Sequence, residues 1–222
     1  MDISQRAAVH AALGDETRLR LVDALWLNDR SPLDLHRLLG IDTNLLAHHL
    51  GVLDTAGVIQ RRASGGDGRR RYVTARWEVL EGLLPPRRLD VASVLFICTH
   101  NSARSQFAEA LLISRAQVSA QSAGFRPSAQ VHPKAVKVAG ERGLALSGAH
   151  PKPYSEVTGS PDLVVSVCDR ACEAPIPFEG PRMHWSVPDP VETNRIDGFR
   201  EAFDEVARRV DRLIDAIPME VT

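Results

Sequence analysis

The hydrophobic rhythm of the chain changes near position 90. Before it, apolar residues recur at helical spacing: Leu19, Val22 and Leu25 lie three apart, which predicts a helix with one buried stripe. Ser31, Pro32 and Asp34 supply a cap residue, a proline at the first helical position and an acid at the third, and Gly40 stops the helix they start. A turn through Ile41 and Asp42 opens a second helix over Thr43–Ala56, ended by Gly57. Two short helices joined so tightly make a helix-turn-helix. Val58–Arg62 and Arg70–Thr74 then flank Ser64–Gly68 and read as a β-hairpin with a flexible, glycine-rich tip.

After position 90 unbroken apolar runs replace the stripes. Val94–Ile97 and Leu163–Val167 are short and almost wholly apolar, as strands of a parallel sheet buried on both faces are. From Phe199 through Phe203, Val206 and Val210 to Leu213 the apolar residues return every three or four positions, which predicts an amphipathic helix covering that sheet. The fold expected is a largely α-helical winged helix-turn-helix with a β-hairpin wing, followed by a three-layer α/β domain with a mostly parallel sheet. Pro85, Pro86, Arg87 and Arg88 form a stiff, polar break. The boundaries expected are therefore a first domain over 1–84, a linker over 85–92 and a second domain over 93–222.

A formal net charge of -1 hides a local excess of positive charge. Arg61, Arg62, Arg69, Arg70 and Arg71 crowd the hairpin against the single acid Asp67, in a chain where only Lys134, Lys137 and Lys152 among the 27 basic residues are lysine. Such a field suits duplex DNA, giving affinity and salt dependence rather than base identity. Thr43, Asn44, His48 and His49 stand at the start and middle of the second helix, in position for base edges in the major groove. His48 and His49 are adjacent, so at most one of them touches a base and the other packs or caps. Neighbouring helix positions share no face, and Cys168 with Cys172 makes one pair without a second, so no metal site is expected. With neither a signal peptide nor a long apolar segment in view, the expectation is a cytoplasmic protein with reduced thiols and no membrane partner.

Cys98 ends the first apolar run and Arg104-Ser105 opens a helix-like stretch, with Thr99, His100, Asn101, Ser102 and Ala103 between them. A strand feeding a tight loop that starts a helix aims backbone N–H groups and the positive helix end at one point, so residues 99–104 are expected to bind an oxyanion of phosphate size. A cysteine at that mouth should have its pKa lowered from about 8.5 to roughly 3.5–7.5, giving a thiolate nucleophile. Arg104 supplies a planar two-pronged grip, Ser105 a hydrogen bond to the sulfur, and Asn101 a brace for the turn. The alternative is an inert cysteine buried at a strand end.

The order strand, Cys98, five residues, Arg104, Ser105, helix resembles the low-molecular-weight tyrosine phosphatase family with its arsenate reductase branch, over about Ser93 to Ile217. Gln106 after the Arg-Ser pair, Ser122–Gly124, Val131–Val136, Glu141–Gly143 and His184–Pro190 are similar to the reductases, and Val191 stands where phosphatases place an aromatic residue. The resemblance implies that Asp189, on its own no more than a turn aspartate before proline, is a general acid. It implies that arsenate is reduced to arsenite through an arsenylated Cys98 with no bound cofactor. Cys168 would be the second thiol and Cys172, less closely matched, the third, with thioredoxin as reductant. In members coupled to mycothiol and mycoredoxin an external thiol attacks instead, and both cysteines are bystanders. A phosphatase with a Cys98 phosphoenzyme remains open, as does a domain that only senses an oxyanion or oxidant.

Leu13–Arg18, His48–Gly57 and the basic hairpin, taken in order, resemble the ArsR family of winged-helix repressors over about residues 5–84. That resemblance implies a homodimer on a double-stranded operator. The chain departs from the arsenic-sensing members, which carry a Cys-x-Cys pair where this chain has Leu33–Leu39, and no cysteine precedes Cys98.

Overall fold

The computed structural model describes residues 2–81, 83, 88–116, 118–146 and 148–217. The chain divides into two compact units, one of residues 1–64 and 68–86, the other of residues 65–67 and 87–222. Residues 85–87 of the expected linker lie outside the described residues. Within the second unit Leu89 N–H donates to Ala216 O at 2.7 Å and Ala92 O accepts from Ser119 N–H at 3.0 Å.

The first unit holds α1 (Ile3–Leu13), α2 (Glu16–Ala24), α3 (Pro32–Leu39), α4 (Thr43–Thr55), β1 (Ile59–Ala63), β2 (Arg71–Ala75) and the single turn α5 (Trp77–Leu80). Side chains start the helices: Asp2, Asp15, Ser31 and Asp42 each accept a backbone N–H of the helix that follows. Ser31 and Asp34 cap reciprocally, and Gly40 ends α3 at φ 65°, a left-handed conformation that glycine adopts without steric penalty. The strands pair antiparallel from Ile59 opposite Ala75 to Ala63 opposite Arg71, one residue later in each arm than expected. Val9, Leu21, Val22, Leu25, Leu35, Leu50, Leu53 and Val73 form the core.

Leu19 corrects the expected stripe, because it is 38% exposed while Leu21, Val22 and Leu25 are buried. Six residues at 100° each carry Leu19 about 120° away from Leu25, whereas seven return Arg18 to within about 20° of it. Arg18 takes the inner position, its guanidinium donating to Ala11 O and Ala12 O at the end of α1, where unpaired carbonyls and the negative helix end favour a cation.

The second unit runs β3 (Ser93–Cys98), α6 (Arg104–Arg115), β4 (Ser119–Gly124), α7 (Pro133–Glu141), a 3₁₀ turn at Tyr154–Glu156, β5 (Leu163–Ser166), α8 (Asp169–Glu173), β6 (Arg182–His184), α9 (Pro190–Thr193) and α10 (Ile196–Ala216). Its four strands are all parallel in the order β4-β3-β5-β6. The central β3 is shielded along Val94–Cys98, which is why it reads as a continuous apolar run. α10 packs on α6 and α7, burying Phe199, Phe203, Val206, Val210 and Leu213 as its pattern predicts, with the Phe203 ring edge-on to Phe107 at 5.1 Å. β3 leads to β4 on one side and β5 lies on the other, so the order reverses between β3 and β5, where open α/β sheets place their sites beyond the carboxyl ends of the strands. Cys98 ends β3, and Cys168 lies two residues past β5. No helix among the described residues is long and apolar enough to cross a membrane.

Candidate active site

The loop after β3 turns its carbonyls outward. Thr99 O accepts from Arg126 N–H at 3.0 Å, His100 O from Ser128 N–H at 3.0 Å and Ser102 O from His132 N–H at 2.8 Å. Asn101 stands at φ 50°, left-handed, and its N–H donates to Cys98 Sγ at 3.1 Å. Its side chain ties the turn together: Oδ1 accepts from Lys152 N–H at 2.9 Å, and Nδ2 donates to Ser105 Oγ at 2.9 Å and Ser122 Oγ at 2.7 Å. Because Ser105 Oγ already accepts from Asn101, its own hydrogen is available to Cys98 Sγ, 3.1 Å away. No side chain caps the start of α6 at Ala103, which leaves its first N–H groups facing the loop.

Two further residues hold the loop. Gln106 Nε2 donates to Asn101 O at 3.1 Å and His150 O at 3.3 Å, contacts that a proline at this position lacks. Gly124 backs onto the turn so closely that a Cβ there would sit 2.7 Å from Thr99 O and 3.0 Å from Asn101 N, so only glycine fits.

Arg104 is 6% exposed and turned inward. Nη1 donates to Val187 O at 2.8 Å and Nη2 to Asp189 Oδ2 at 2.8 Å. Burial pulls the guanidinium pKa down, but the charges of Cys168, Asp189 and Cys98 outweigh it and raise it, so the group stays cationic. Asp189 also accepts Val191 N–H at 3.0 Å through Oδ1 and caps α9, so its turn role and its contact with the arginine coexist.

Cys168 is buried at the start of α8, its Sγ 3.4 Å from Thr99 Oγ1 and accepting Ala171 N–H at 3.4 Å. Burial pushes its thiol pKa up against the opposing pull of Arg104. Cys172 lies one turn on, half-buried, its N–H donating to Cys168 O at 3.2 Å. Behind Cys168, Asp169 accepts His184 Nε2 at 3.0 Å; burial raises the Asp169 pKa, and the bonds led by His184 lower it further than that. Cys98, the 99–104 loop, Ser105, Asp189 and Cys168 thus converge, with Cys172 at the edge. Ser122, Lys152 and Gln106 are structural members of the site that the reading of the loop alone does not find.

In the first unit Thr43, Asn44 and His48 are exposed along α4. His49 is not: it is 7% exposed, with Nδ1 3.8 Å from Asp15 Oδ1, so it packs inside the unit and leaves the set of DNA-contacting candidates. Arg61, Arg69, Arg70 and Arg71 are exposed and Arg62 is half-buried, and Arg61 pairs with Asp54 at 3.1 Å.

A buried cysteine at the end of a central parallel strand, with a tight loop after it and a buried guanidinium opening the next helix, defines a cysteine-loop α/β domain. Residues 93–222 match the low molecular weight phosphotyrosine protein phosphatase family, and the chain belongs to that family. Among its curated relatives, the glutaredoxin arsenate reductase of Synechocystis sp. is 31% identical over 131 residues, covering 56% of this chain and 97% of its own length. The arsenate reductase of Halalkalibacterium halodurans is 32% identical over 127 residues, covering 53% of this chain and 91% of its own. The crystal structure of arsenate reductase from Archaeoglobus fulgidus shares 32% identity over 55% of this chain and 98% of its own, with a TM-score of 0.49.

Proposed function

We propose that the second unit is a thiol-dependent arsenate reductase. The observation that carries this reading is the second buried sulfur: Cys168 is held against Thr99 of the Cys98 loop, where a phosphatase, which needs only water for its second step, has no use for it. The relatives named arsenate reductases, Gln106 bracing the loop, and the aliphatic Val191 after Asp189-Pro190 support it.

Arsenate seats on the loop amides and replaces the Asp189 carboxylate as the partner of Arg104. Cys98 Sγ attacks arsenic, and an As–O bond breaks as Asp189 gives a proton to the oxygen that leaves as water. Cys168, or an external thiol, then attacks Cys98 Sγ. The S–As bond breaks with its electron pair on arsenic, so As(V) becomes As(III) and leaves as arsenite while two thiols become a disulfide. A dithiol protein of the thioredoxin or glutaredoxin class, or a mycothiol and mycoredoxin pair, reduces that disulfide. Cys98, Cys168 and Cys172, none of them in a disulfide, suit the reducing cytoplasm.

The test pairs arsenite formation from arsenate and a thiol reductant with hydrolysis of an aryl phosphate, each in the native protein and Cys98→Ser. Arsenite formation that vanishes in Cys98→Ser is expected. Cys98-dependent hydrolysis without arsenite formation would make the protein a phosphatase.

The first unit is, in this proposal, an ArsR-type winged helix-turn-helix that grips a DNA operator as a homodimer. Support comes from α3 and α4 joined through Gly40–Asp42, from exposed Thr43, Asn44 and His48, and from the arginines of the antiparallel hairpin. Titration of duplex DNA at rising salt tests it, and affinity indifferent to salt would refute it.

A further inference from the structure

Tyr154 is a residue that neither the loop nor the pairs described above use. The two residues before it are bonded to the site: Lys152 N–H donates to Asn101 Oδ1, Lys152 O accepts Gly124 N–H at 2.9 Å, and Pro153 forms a parallel bridge with Gly124. Gly124 in turn backs onto Thr99 and Asn101. The ring stands edge-on to Phe178 at 5.4 Å, a favoured aromatic geometry. Its Oη is shielded from solvent and meets no hydrogen-bond partner.

A buried hydroxyl without an acceptor destabilises the free protein, and such a group in a native structure calls for an explanation. Burial, followed by the charges of Cys168 and then Cys98, raises the phenol pKa, so the group remains a neutral donor that lies within the electrostatic reach of both sulfurs. The residues that lead into Tyr154 are bonded to Asn101 and Gly124 at the back of the Cys98 loop, so the acceptor it lacks is sought at that loop. A tetrahedral oxyanion on the loop brings four oxygens there, more than one guanidinium serves.

We propose that Tyr154 is an oxyanion-binding residue, its hydroxyl donating to an oxygen of the inorganic oxyanion bound at the Cys98 loop, at the corner nearest the Lys152–Tyr154 segment. This inference rests on the anion-binding reading of the Cys98 loop. It assigns the site a third kind of donor beside the backbone N–H groups and Arg104, and one that selects a ligand with an oxygen at that corner.

Tyr154→Phe keeps the ring against Phe178 and removes only the oxygen. Inorganic phosphate is titrated calorimetrically into the full chain, native, Tyr154→Phe and Arg104→Ala, and each is melted without and with phosphate. Tyr154→Phe is expected to bind phosphate on the order of 10- to 100-fold more weakly, as for loss of a hydrogen bond to a charged group. Without ligand it should melt at or above the native temperature, because an unsatisfied buried hydroxyl is gone. Phosphate affinity within two-fold of native overturns the proposal, and so does a lower melting temperature without ligand, since the hydroxyl would then be structural. If native protein and Arg104→Ala bind phosphate equally, the loop reading itself fails and takes this inference with it. That result is separate from a failure of Tyr154→Phe alone.

Discussion

Arg104 and the arginines of the hairpin, each proposed to meet an anion, are held in opposite physical settings. Arg104 is buried, and two of its nitrogens are fixed on Val187 O and Asp189 Oδ2. Arg61, Arg69, Arg70 and Arg71 are exposed. A buried guanidinium has one geometry, feels little salt screening and gains from low dielectric, so its worth lies in where its fork points. Exposed guanidinium groups act through a screened field, and their worth lies in their number. In the first case the residue type is irreplaceable. In the second any one residue is replaceable.

The largest break in that contrast is Arg104→Lys. Charge is kept, but an ammonium cannot hold two acceptors in the plane of a fork. Arsenite formation should fall about 10²- to 10³-fold in kcat/KM, the scale for losing one preorganised donor at a reacting oxyanion. The loss should be the same at low and high salt. A lysine variant within ten-fold of native, measured by arsenite release, would show that only the charge matters and erase the distinction.

The hairpin should behave in the reverse way. Changing Arg69, Arg70 and Arg71 together to Ala should weaken duplex DNA binding roughly 10- to 100-fold at low salt and flatten the plot of log affinity against log salt by about 2–3. Lysine at the same three positions should restore most of both. Fluorescence anisotropy across a salt series reads slope and affinity together, and an unchanged slope would mean that these arginines do not meet phosphates.

What was legible in the sequence follows the same division between local and assembled. Ser31, Asp34 and Gly40 act on their own helix, so its start and stop could be read directly. β3 and β5 lie at the centre of the sheet and read as apolar runs, whereas β4 and β6 are edge strands. Built from Ser119–Gly124 and three residues at Arg182–His184, they carry no apolar run to find. Leu19 misled because the helical stripe passes through Arg18, whose guanidinium serves α1 instead of water. The Cys98–Ser105 loop was legible because its parts are contiguous. Ser122, Gly124 and Lys152 reach it only once the chain has folded back on the loop, and no spacing in the chain announces them. Asp189 lies between: a turn aspartate by its neighbours, and the partner of Arg104 only once the sheet is assembled.

The smallest expected effect comes from an arginine as buried as Arg104 that stands outside the site. Arg209 on α10 is also 6% exposed, and its Nε donates to Glu205 Oε1 at 2.7 Å. Burial pushes the Glu205 carboxyl up, but Arg209 and Arg208 outweigh it and hold its pKa down to about 2. A carboxyl whose pKa is depressed on folding stabilises the protein fully above its unfolded value, near 4.5, and loses that contribution as pH falls through the folded value. Glu205→Gln should therefore destabilise the protein by about 2 kcal/mol at neutral pH, because it takes the Glu205 carboxylate away from the buried Arg209. The gap between the two melting curves should narrow from about pH 4.5 downward and close near pH 2. Arsenite formation at neutral pH and moderate temperature should be unchanged, since the same burial and the same kind of carboxylate partner serve packing here and chemistry at Arg104. A loss of activity in Glu205→Gln at temperatures where it is fully folded would show that burial with a carboxylate, and not position beside the Cys98 loop, is what the reaction uses.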